Sequence, residues 1–201
     1  ASGVIHEEFQ TDRFTKSGGT QHIAQIWVNL PAKYKMSEPK YQSLTKENIG
    51  IYRIDEQGSL VRVIAGNFKG TKGPANTFTP VEMYDIRLNK DAGVSLELPE
   101  SYNAMLLISK GKVNINDEKD ASFKDFVLFG HVGETIQLKA LEDSYILVLS
   151  GEPIPESIAS YGPFVMNTKQ EILDAIEDYN SGRFGKIDNK KQHETADIGS
   201  K

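Results

Sequence analysis

A histidine and a glutamate lie two positions apart near the N-terminus, in the run G-V-I-H-E-E-F. In a β-strand, side chains alternate between two faces, so His6 and Glu8 would share one face. Glu7 would lie on the opposite face with Ile5 and Phe9. An imidazole and a carboxylate on one face can both reach a single metal ion. The alternative is a frayed, charged chain terminus without chemistry, and these residues alone favour that alternative.

The bulk composition is typical of a globular protein without a strongly charged partner. The 201 residues are 38% hydrophobic and 25% charged, with a net charge of −5. This charge excludes a broad nucleic-acid footprint, which needs a basic face, and argues against an anionic membrane surface as partner. The absence of cysteine excludes disulfides and thiolate metal sites. We expect a cytoplasmic location, or a nuclear one as well in a eukaryote.

Short apolar runs between frequent turn signals predict an all-β sandwich or barrel. Tyr84, Ile86 and Leu88 alternate with polar residues, as in a half-buried strand. The runs 104–108 and 145–149 are continuously apolar, which predicts strands buried on both faces. We expect four side chains of these runs to be almost fully buried: Leu106, Ile108, Ile146 and Val148.

One segment near the C-terminus breaks the strand pattern and predicts a helix over 168–182. Thr168 followed by Glu171 is a capping box. Gly182 is placed to end the helix. The polar tail after Lys186 lacks periodicity, and we expect it to be poorly ordered. The apolar stripe of this helix is formed by Ile172, Leu173, Ile176 and Tyr179.

Other residues that invite a functional interpretation have a simpler structural one. Trp27 is the only tryptophan and lies in an apolar run, where core packing is expected. Lys33, Lys35 and Lys40 form a small basic cluster, which we interpret as a solvated loop. His131 follows a glycine in a turn and is interpreted as a loop histidine.

Two long motifs resemble the signatures of the pirin family. The first is Q-I-W-V-N-L-P-A-K at 25–33 with E-P-K-Y-Q at 38–42. The second is G-E-P-I-P-E-S-I-A-S-Y-G-P-F-V-M-N-T at 151–168, followed by S-G-R-F-G at 181–185. The resemblance implies an all-β bicupin: two double-stranded β-helix (jelly-roll) barrels, with metal in the first barrel only, plus a C-terminal α-helix.

The resemblance also implies a ligand set for the opening motif. Pirins hold a non-haem iron with three histidines and one glutamate, and His6 and Glu8 carry over as the third histidine and the glutamate. The His-x-His half is absent, because the other histidines are His22, His131 and His193. We therefore expect a truncated first barrel. Fe(II) or another divalent transition metal would bind the intact protein, and bind this chain weakly or not at all.

The resemblance divides the chain into three parts. Residues 1–50 would be the remainder of the N-terminal metal-binding cupin and a linker. Residues 51–151 would form the C-terminal cupin barrel without metal, in which Glu97 and Pro99 stand where a first metal motif would fall. Residues 152–201 would form the C-terminal segment with its helix and tail.

Two functions of different class follow from the resemblance. The first is a quercetin (flavonol) 2,3-dioxygenase, in which His6 and Glu8 are metal ligands and Glu8 also accepts the proton of the flavonol hydroxyl as the catalytic residue. The second is a non-enzymatic, iron-dependent redox sensor or transcription-cofactor-type protein that acts through a protein partner. Neither implies direct nucleic-acid or membrane binding. Unpaired strands in 1–50 predict that this segment is either mobile or pairs with another chain in self-association.

Overall fold

The computed structural model describes residues 1–8 and 10–187, which fall into two compact units. One unit is Tyr41–Ile154, and the other joins Ala1–Lys40 to Pro155–Lys201. Phe9, His193 and the tail from residue 188 onward lie outside the described residues. No helix in the described ranges is long and apolar enough to cross a membrane. The three-part division at 50 and 151 stays a prediction.

Two antiparallel sheets build the unit Tyr41–Ile154. The larger sheet has six strands, in the order β1-β2-β5-β12-β7-β10, and the smaller has four, in the order β6-β11-β8-β9; β3 and β4 pair separately. The strands are β1 (Gly50–Arg53), β2 (Leu60–Ala65), β3 (Asn67–Phe68), β4 (Thr71–Lys72), β5 (Val81–Leu88), β6 (Gly93–Glu97), β7 (Asn103–Lys110), β8 (Lys112–Ile115), β9 (Lys119–Ser122), β10 (Phe126–Leu128), β11 (Thr135–Ala140) and β12 (Ser144–Gly151).

The hydrophobic core of this unit joins inward-facing residues of both sheets into one cluster. Ile146 on β12 lies opposite Ile86 on β5 and Ile108 on β7, so three apolar side chains cross the centre of the larger sheet. The smaller sheet contributes residues such as Leu96 and Leu138. The alternation of apolar and polar residues in the sequence therefore determines which face each strand buries.

The strand predictions for this unit are confirmed. Leu106, Ile108, Ile146 and Val148 are each 0% exposed. The predicted burial of runs 104–108 and 145–149 on both faces is only partly met. Their outer residues, such as Leu107 and Leu147, are half-buried. These side chains face away from the core because side-chain direction alternates along a strand.

The described residues of the second unit contain little regular structure. Its elements are α1 (Asp12–Ser17), α2 (Ala32–Lys35), β13 (Ala159–Tyr161), β14 (Phe164–Met166) and α3 (Lys169–Asn180). β13 and β14 form an antiparallel hairpin, on which α3 packs. Only three of its described residues are buried: Pro31, Lys35 and Ile172.

The long helix α3 confirms the prediction for the C-terminal segment. The Thr168 hydroxyl accepts a hydrogen bond from the Glu171 backbone N–H at 3.2 Å, and Glu171 Oε2 accepts one from the Thr168 N–H at 2.7 Å. Two stripe residues differ from the prediction, since Leu173 is 59% exposed and Tyr179 is 52% exposed, although the Tyr179 ring still packs edge to face on Phe164. Ala175, which is half-buried, lies between Ile172 and Tyr179 on the packed face instead. The spacing 172, 175, 176, 179 follows the 3.6-residue period more closely.

Candidate functional site

The segment that carries His6 and Glu8 is not a strand. Residues 1–8 take no part in the strand pairs of the described chain. Their backbone is anchored instead where the Ser2 N–H donates to the Ser37 carbonyl at 2.9 Å. A strand needs a neighbour to pair its N–H and C=O groups, and alternation of side chains does not supply one. The expected strand is therefore wrong for this structure, and a shared face for His6 and Glu8 no longer follows from it.

Both candidate metal ligands are exposed side chains. Glu8 Oε1 accepts a hydrogen bond from Gln25 Nε2 at 3.0 Å. His6 lines a cleft of about 870 Å³, and Glu8 is not among the lining residues. Across residues 1–8 and 10–187, no group of three or more His, Cys, Asp or Glu side chains could hold a metal ion.

The assignment of His6 and Glu8 as two ligands of a non-haem metal stays a prediction of the resemblance. A neutral imidazole and a carboxylate are ligands that Fe(II) accepts, and sites of this kind keep further positions open. The exposure of both side chains leaves their donor atoms accessible. Two donors fit the group only in part, so any complete ligand set needs donors from outside the described residues.

The other candidate positions are occupied by hydrogen bonds within the Tyr41–Ile154 unit. A ring nitrogen of His131 lies 3.1 Å from Asn103 Oδ1. Glu97, at the end of β6, accepts hydrogen bonds from the Ser95 hydroxyl at 3.0 Å and from the Thr135 hydroxyl at 2.9 Å. These contacts give His131 and Glu97 local structural roles on the sheet and in its adjoining loop.

The cleft beside His6 has mainly apolar walls. They come from the N-terminal segment, the run 27–30, β14 and α3. Trp27 lines this cleft and is 63% exposed, so the prediction that it packs in a core is wrong. The run around it forms no strand, and therefore no sheet face covers the indole.

Lys35 is the charged residue that departs furthest from its sequence prediction. It is only 4% exposed, so the interpretation as a solvated loop is wrong for this member of the basic cluster. Its ammonium donates to Asn29 Oδ1 at 2.7 Å. Burial lowers the pKa of Lys35, and the nearby carboxylates of Glu156 and Glu171 oppose that shift. A buried ammonium is tolerated when it has a hydrogen bond and neighbouring negative charge.

Glu156, one of the two carboxylates near this lysine, is hydrogen-bonded to the start of α2 and to Asn167. Glu156 Oε2 accepts hydrogen bonds from the Ala32 backbone N–H at 2.6 Å and from Asn167 Nδ2 at 3.0 Å. Asn167 Nδ2 also donates to the Ser157 carbonyl at 3.0 Å. These hydrogen bonds therefore tie the start of α2 to the segments on either side of the hairpin that precedes α3.

Three aromatic rings, those of Phe164, Tyr179 and Phe184, also line the cleft. The sequence patterns did not single out Phe184, nor Gly3, which lies against its ring. The available signal was the position of Phe184 within S-G-R-F-G, where one aromatic residue follows a helix end between two glycines.

The family model for the pirin C-terminal cupin domain matches residues 83–185, just over half of the chain. The chain belongs to the pirin family. The cupin jelly-roll that the resemblance implied is thereby confirmed for this pirin, together with its two antiparallel sheets.

Individual relatives agree with this assignment. The chain is 38% identical over 186 residues to a Pseudomonas aeruginosa protein named provisionally as a quercetin 2,3-dioxygenase, covering 92% of this chain and 64% of that protein. A pirin-like protein of Solanum lycopersicum is 33% identical, and the match covers 91% of this chain and 62% of that protein. The chain therefore spans somewhat less than two thirds of the length of these relatives.

A solved structure gives the same fold. The crystal structure of quercetin 2,3-dioxygenase from Acinetobacter baumannii superposes with a TM-score of 0.78 at 42% sequence identity. The match covers 81% of this pirin and 56% of the Acinetobacter chain.

Proposed function

We propose that this chain works as part of a metal-dependent pirin with quercetin 2,3-dioxygenase activity. The observation that carries the proposal is an exposed imidazole beside an apolar cleft, two residues before an exposed carboxylate. The names of the 38% identical Pseudomonas relative and the 42% identical Acinetobacter structure support the same reaction class. In this proposal two further histidines come from a segment that precedes this chain, and the two parts together form the whole pirin.

In the whole pirin, His6 would bind the metal through a neutral ring nitrogen and Glu8 through a carboxylate oxygen. The bound metal would supply Lewis-acid and redox chemistry with dioxygen. Glu8 would also take the proton of the flavonol hydroxyl at a carboxylate oxygen. The charge of a divalent ion keeps an attached carboxylate ionised, so Glu8 would have to loosen from the metal to accept that proton.

The proposed substrate is a small, flat, flavonol-like molecule. The relatives' names supply this class, and the cleft beside His6 has the size and apolar lining that suit such a ligand. Trp27 and the ring of Tyr179 would offer stacking surfaces along its walls.

A second candidate function is an iron-responsive protein that acts through a partner rather than by catalysis. Exposed apolar side chains in the segment Ala1–Lys40 favour this function. Ile23 is 67% exposed and Trp27 is 63% exposed. Such patches are typical of protein interaction sites.

Oxygen uptake by the iron-loaded whole pirin in the presence of quercetin separates the two candidates. If the whole pirin is a dioxygenase, it should take up oxygen only with quercetin, and His6→Ala should abolish that oxygen uptake. If it acts only through a partner, its rate of oxygen uptake should not exceed that of free iron at the same concentration. That result would reject the dioxygenase proposal.

A further inference from the structure

The buried Lys35 is part of the wall of the cleft that Trp27 lines. Its ammonium donates to Asn29 Oδ1 at 2.7 Å, and Asn29 belongs to the same wall. A lysine ammonium has three N–H donors, and this bond uses one of them. Within the described ranges, Lys35 has no ion pair and no second hydrogen bond. The wall of the cleft therefore contains a buried cation that can donate further hydrogen bonds.

The short helix α2 determines that Lys35 faces inward. Successive residues of an α-helix are about 100° apart around its axis, so Lys33 and Lys35 lie on nearly opposite sides. Lys33 is exposed, and its ammonium lies 4.8 Å from the centre of the Tyr34 ring. Glu156 holds the start of α2 by accepting a hydrogen bond from the Ala32 N–H. The backbone of α2 thus fixes the buried lysine and offers an exposed one for comparison.

The cleft is formally negative in spite of this lysine. Three carboxylates of α3 line it: Glu171, Asp174 and Asp178. Each of them already has a hydrogen bond or an ion pair within α3 and its flanking residues. With histidine counted as neutral, these three charges exceed the positive charges of Lys35 and of the Ala1 α-amino group. A ligand that carried a further negative charge would therefore be repelled.

The apolar part of the wall favours a flat ring system. Trp27, Phe164 and Tyr179 line the cleft, and two of these rings are accessible, since Trp27 is 63% and Tyr179 is 52% exposed. Aromatic ligands stack on such rings or meet them edge to face. The volume of about 870 Å³ is within the range of small-molecule sites. A flat ligand with one acceptor oxygen would satisfy both the rings and the ammonium.

We propose that this cleft binds a flat, uncharged aromatic ligand with a ring carbonyl, whose oxygen accepts a hydrogen bond from Lys35. The carbonyl supplies an acceptor for a buried ammonium and adds no negative charge to the cleft. Lys35 is then the residue that distinguishes a ring ketone from a hydrocarbon or a carboxylate. A flavonol has such a carbonyl on its central ring, and its assignment as the natural ligand rests on the proposed function.

Three probes with one ring skeleton test the site in this chain: chroman, the ketone chromanone, and chromanone carboxylate. Chroman has a CH₂ group where chromanone has its carbonyl. Trp27 is the only tryptophan, so the single indole N–H resonance follows each titration by nuclear magnetic resonance. Chromanone should bind about 10-fold more tightly than chroman, as expected for one hydrogen bond to a charged group. It should also bind more tightly than its carboxylate.

Two outcomes of these titrations would overturn the proposal. Equal affinities for chromanone and chroman would mean that the carbonyl meets no donor in the cleft. Tighter binding of the carboxylate than of chromanone would mean that the cleft selects an anion.

Substitution of the lysine assigns the preference to its ammonium. Lys35→Met should bind chromanone and chroman almost equally, because an apolar side chain of similar length is often tolerated in place of a buried charge. Lys33→Met, on the exposed side of α2, should keep the preference of about 10-fold. Lys35→Gln provides a second variant if Lys35→Met does not fold, and it should show a reduced preference. An undiminished preference in a folded Lys35 variant would overturn the proposal.

The ketone site and the dioxygenase proposal can fail separately, because the probe titrations need neither metal nor dioxygen. If the preference for chromanone depends on Lys35 and the whole pirin shows no quercetin-dependent oxygen uptake, the ketone site stands and the dioxygenase proposal fails. If that uptake is observed but this chain binds chromanone and chroman equally, the dioxygenase proposal stands and the ketone site is wrong.

Discussion

The phenol of Tyr84 donates a hydrogen bond of 2.5 Å to the Glu82 carboxylate, two residues earlier on β5. Tyr84 is only 2% exposed, and its ring packs edge to face on Phe68 at 5.5 Å. Burial, followed by the hydrogen bond to Glu82 and the charge of that carboxylate, raises the pKa of Tyr84 well above its ordinary value. The neutral phenol is therefore part of the folded state.

Alkaline stability should depend on this phenol. In the unfolded chain Tyr84 loses its proton near pH 10, while the folded protein retains it, so the free energy of unfolding falls as the pH rises above about 10. Tyr84→Phe should flatten that decline and should cost about 1 kcal/mol at neutral pH through the lost hydrogen bond. Urea unfolding at about pH 8 and about pH 11 measures both effects.

Tyr161→Phe is the matched control for this measurement, since Tyr161 is 69% exposed. It should leave both the neutral stability and the alkaline slope close to those of the unaltered protein. An alkaline slope that is identical in Tyr84→Phe and in the unaltered chain would contradict the assignment.

The centre of the larger sheet should be sensitive to loss of volume. Leu106→Ala and Ile146→Ala should each lower the free energy of unfolding by about 2–5 kcal/mol, because a cavity adds to the lost transfer energy. Both side chains are 0% exposed. Leu173→Ala on α3, at a residue that is 59% exposed, should cost much less. Chemical denaturation checks this, and core losses below about 1 kcal/mol would contradict the burial.

The N-terminal cap of α3 should contribute both to stability and to its pH dependence. Thr168→Ala removes a hydroxyl that bonds to Glu171, at a cost of about 1 kcal/mol. The same hydroxyl is the main cause that lowers the pKa of Glu171. The contribution of Glu171 is therefore present above its ordinary pKa of about 4.3 and is lost as the pH falls below it.

Unfolding of Thr168→Ala at neutral and acid pH tests this cap. The difference between Thr168→Ala and the unaltered chain should be larger at neutral pH than at about pH 3. Thr20→Ala, at an exposed threonine outside the helices and strands, is the control and should show no such difference. A Thr168→Ala effect that is independent of pH would mean that Glu171 does not act through the cap.

The unit that contains His6 should associate with itself in solution. Several of its large apolar side chains are exposed, including Ile23, Trp27 and Ile158 at 63–67%. Exposed apolar side chains favour association of two chains, because the contact removes them from water. Light scattering should give a mass above the 22.4 kDa of one chain, and Ile23→Gln with Trp27→Gln should reduce it. Tyr41→Gln, at a 93% exposed residue of the other unit, is the control, and a strict monomer at all concentrations would contradict this expectation.

Local sequence patterns predicted what local physics determines. The two-residue alternation assigned Tyr84, Ile86 and Leu88 to the core, and the capping box located the start of α3 to within a residue. Both depend on neighbours in the chain. The pattern around His6 has the same alternation but no pairing partner among the described strands, and alternation alone does not make a strand.

The features that the sequence did not predict come from contacts between distant parts of the chain. Lys35 is buried, with a hydrogen bond to Asn29 and with two carboxylates of the C-terminal segment nearby. Trp27 is exposed because no sheet forms around it. Gly3 meets Phe184 only because the turn after α3 brings that ring to the N-terminal segment. No periodicity within a short window carries this information.

The sharpest prediction concerns two neighbouring glutamates, Glu7 and Glu8. In the whole pirin, His6→Ala and Glu8→Ala should each remove nearly all bound iron, because each would delete one ligand of a four-ligand site. Glu7→Ala should keep most of the iron, since the proposed ligand set contains Glu8 and not Glu7. Metal analysis of the purified proteins measures iron per chain, and melting temperatures show whether each variant is folded.

The same experiment distinguishes a ligand pair from a charged terminus. A charged terminus that attracts iron by its net charge would lose equal amounts of metal in Glu7→Ala and Glu8→Ala, because each removes one negative charge at nearly the same place. A ligand pair predicts unequal losses, with the difference persisting at high salt because screening weakens only the long-range attraction. This chain by itself should bind Fe(II) poorly, since residues 1–8 and 10–187 contain no group of three or more side chains that could hold a metal ion. Equal iron content in the two glutamate variants, both folded, would reject Glu8 as a ligand.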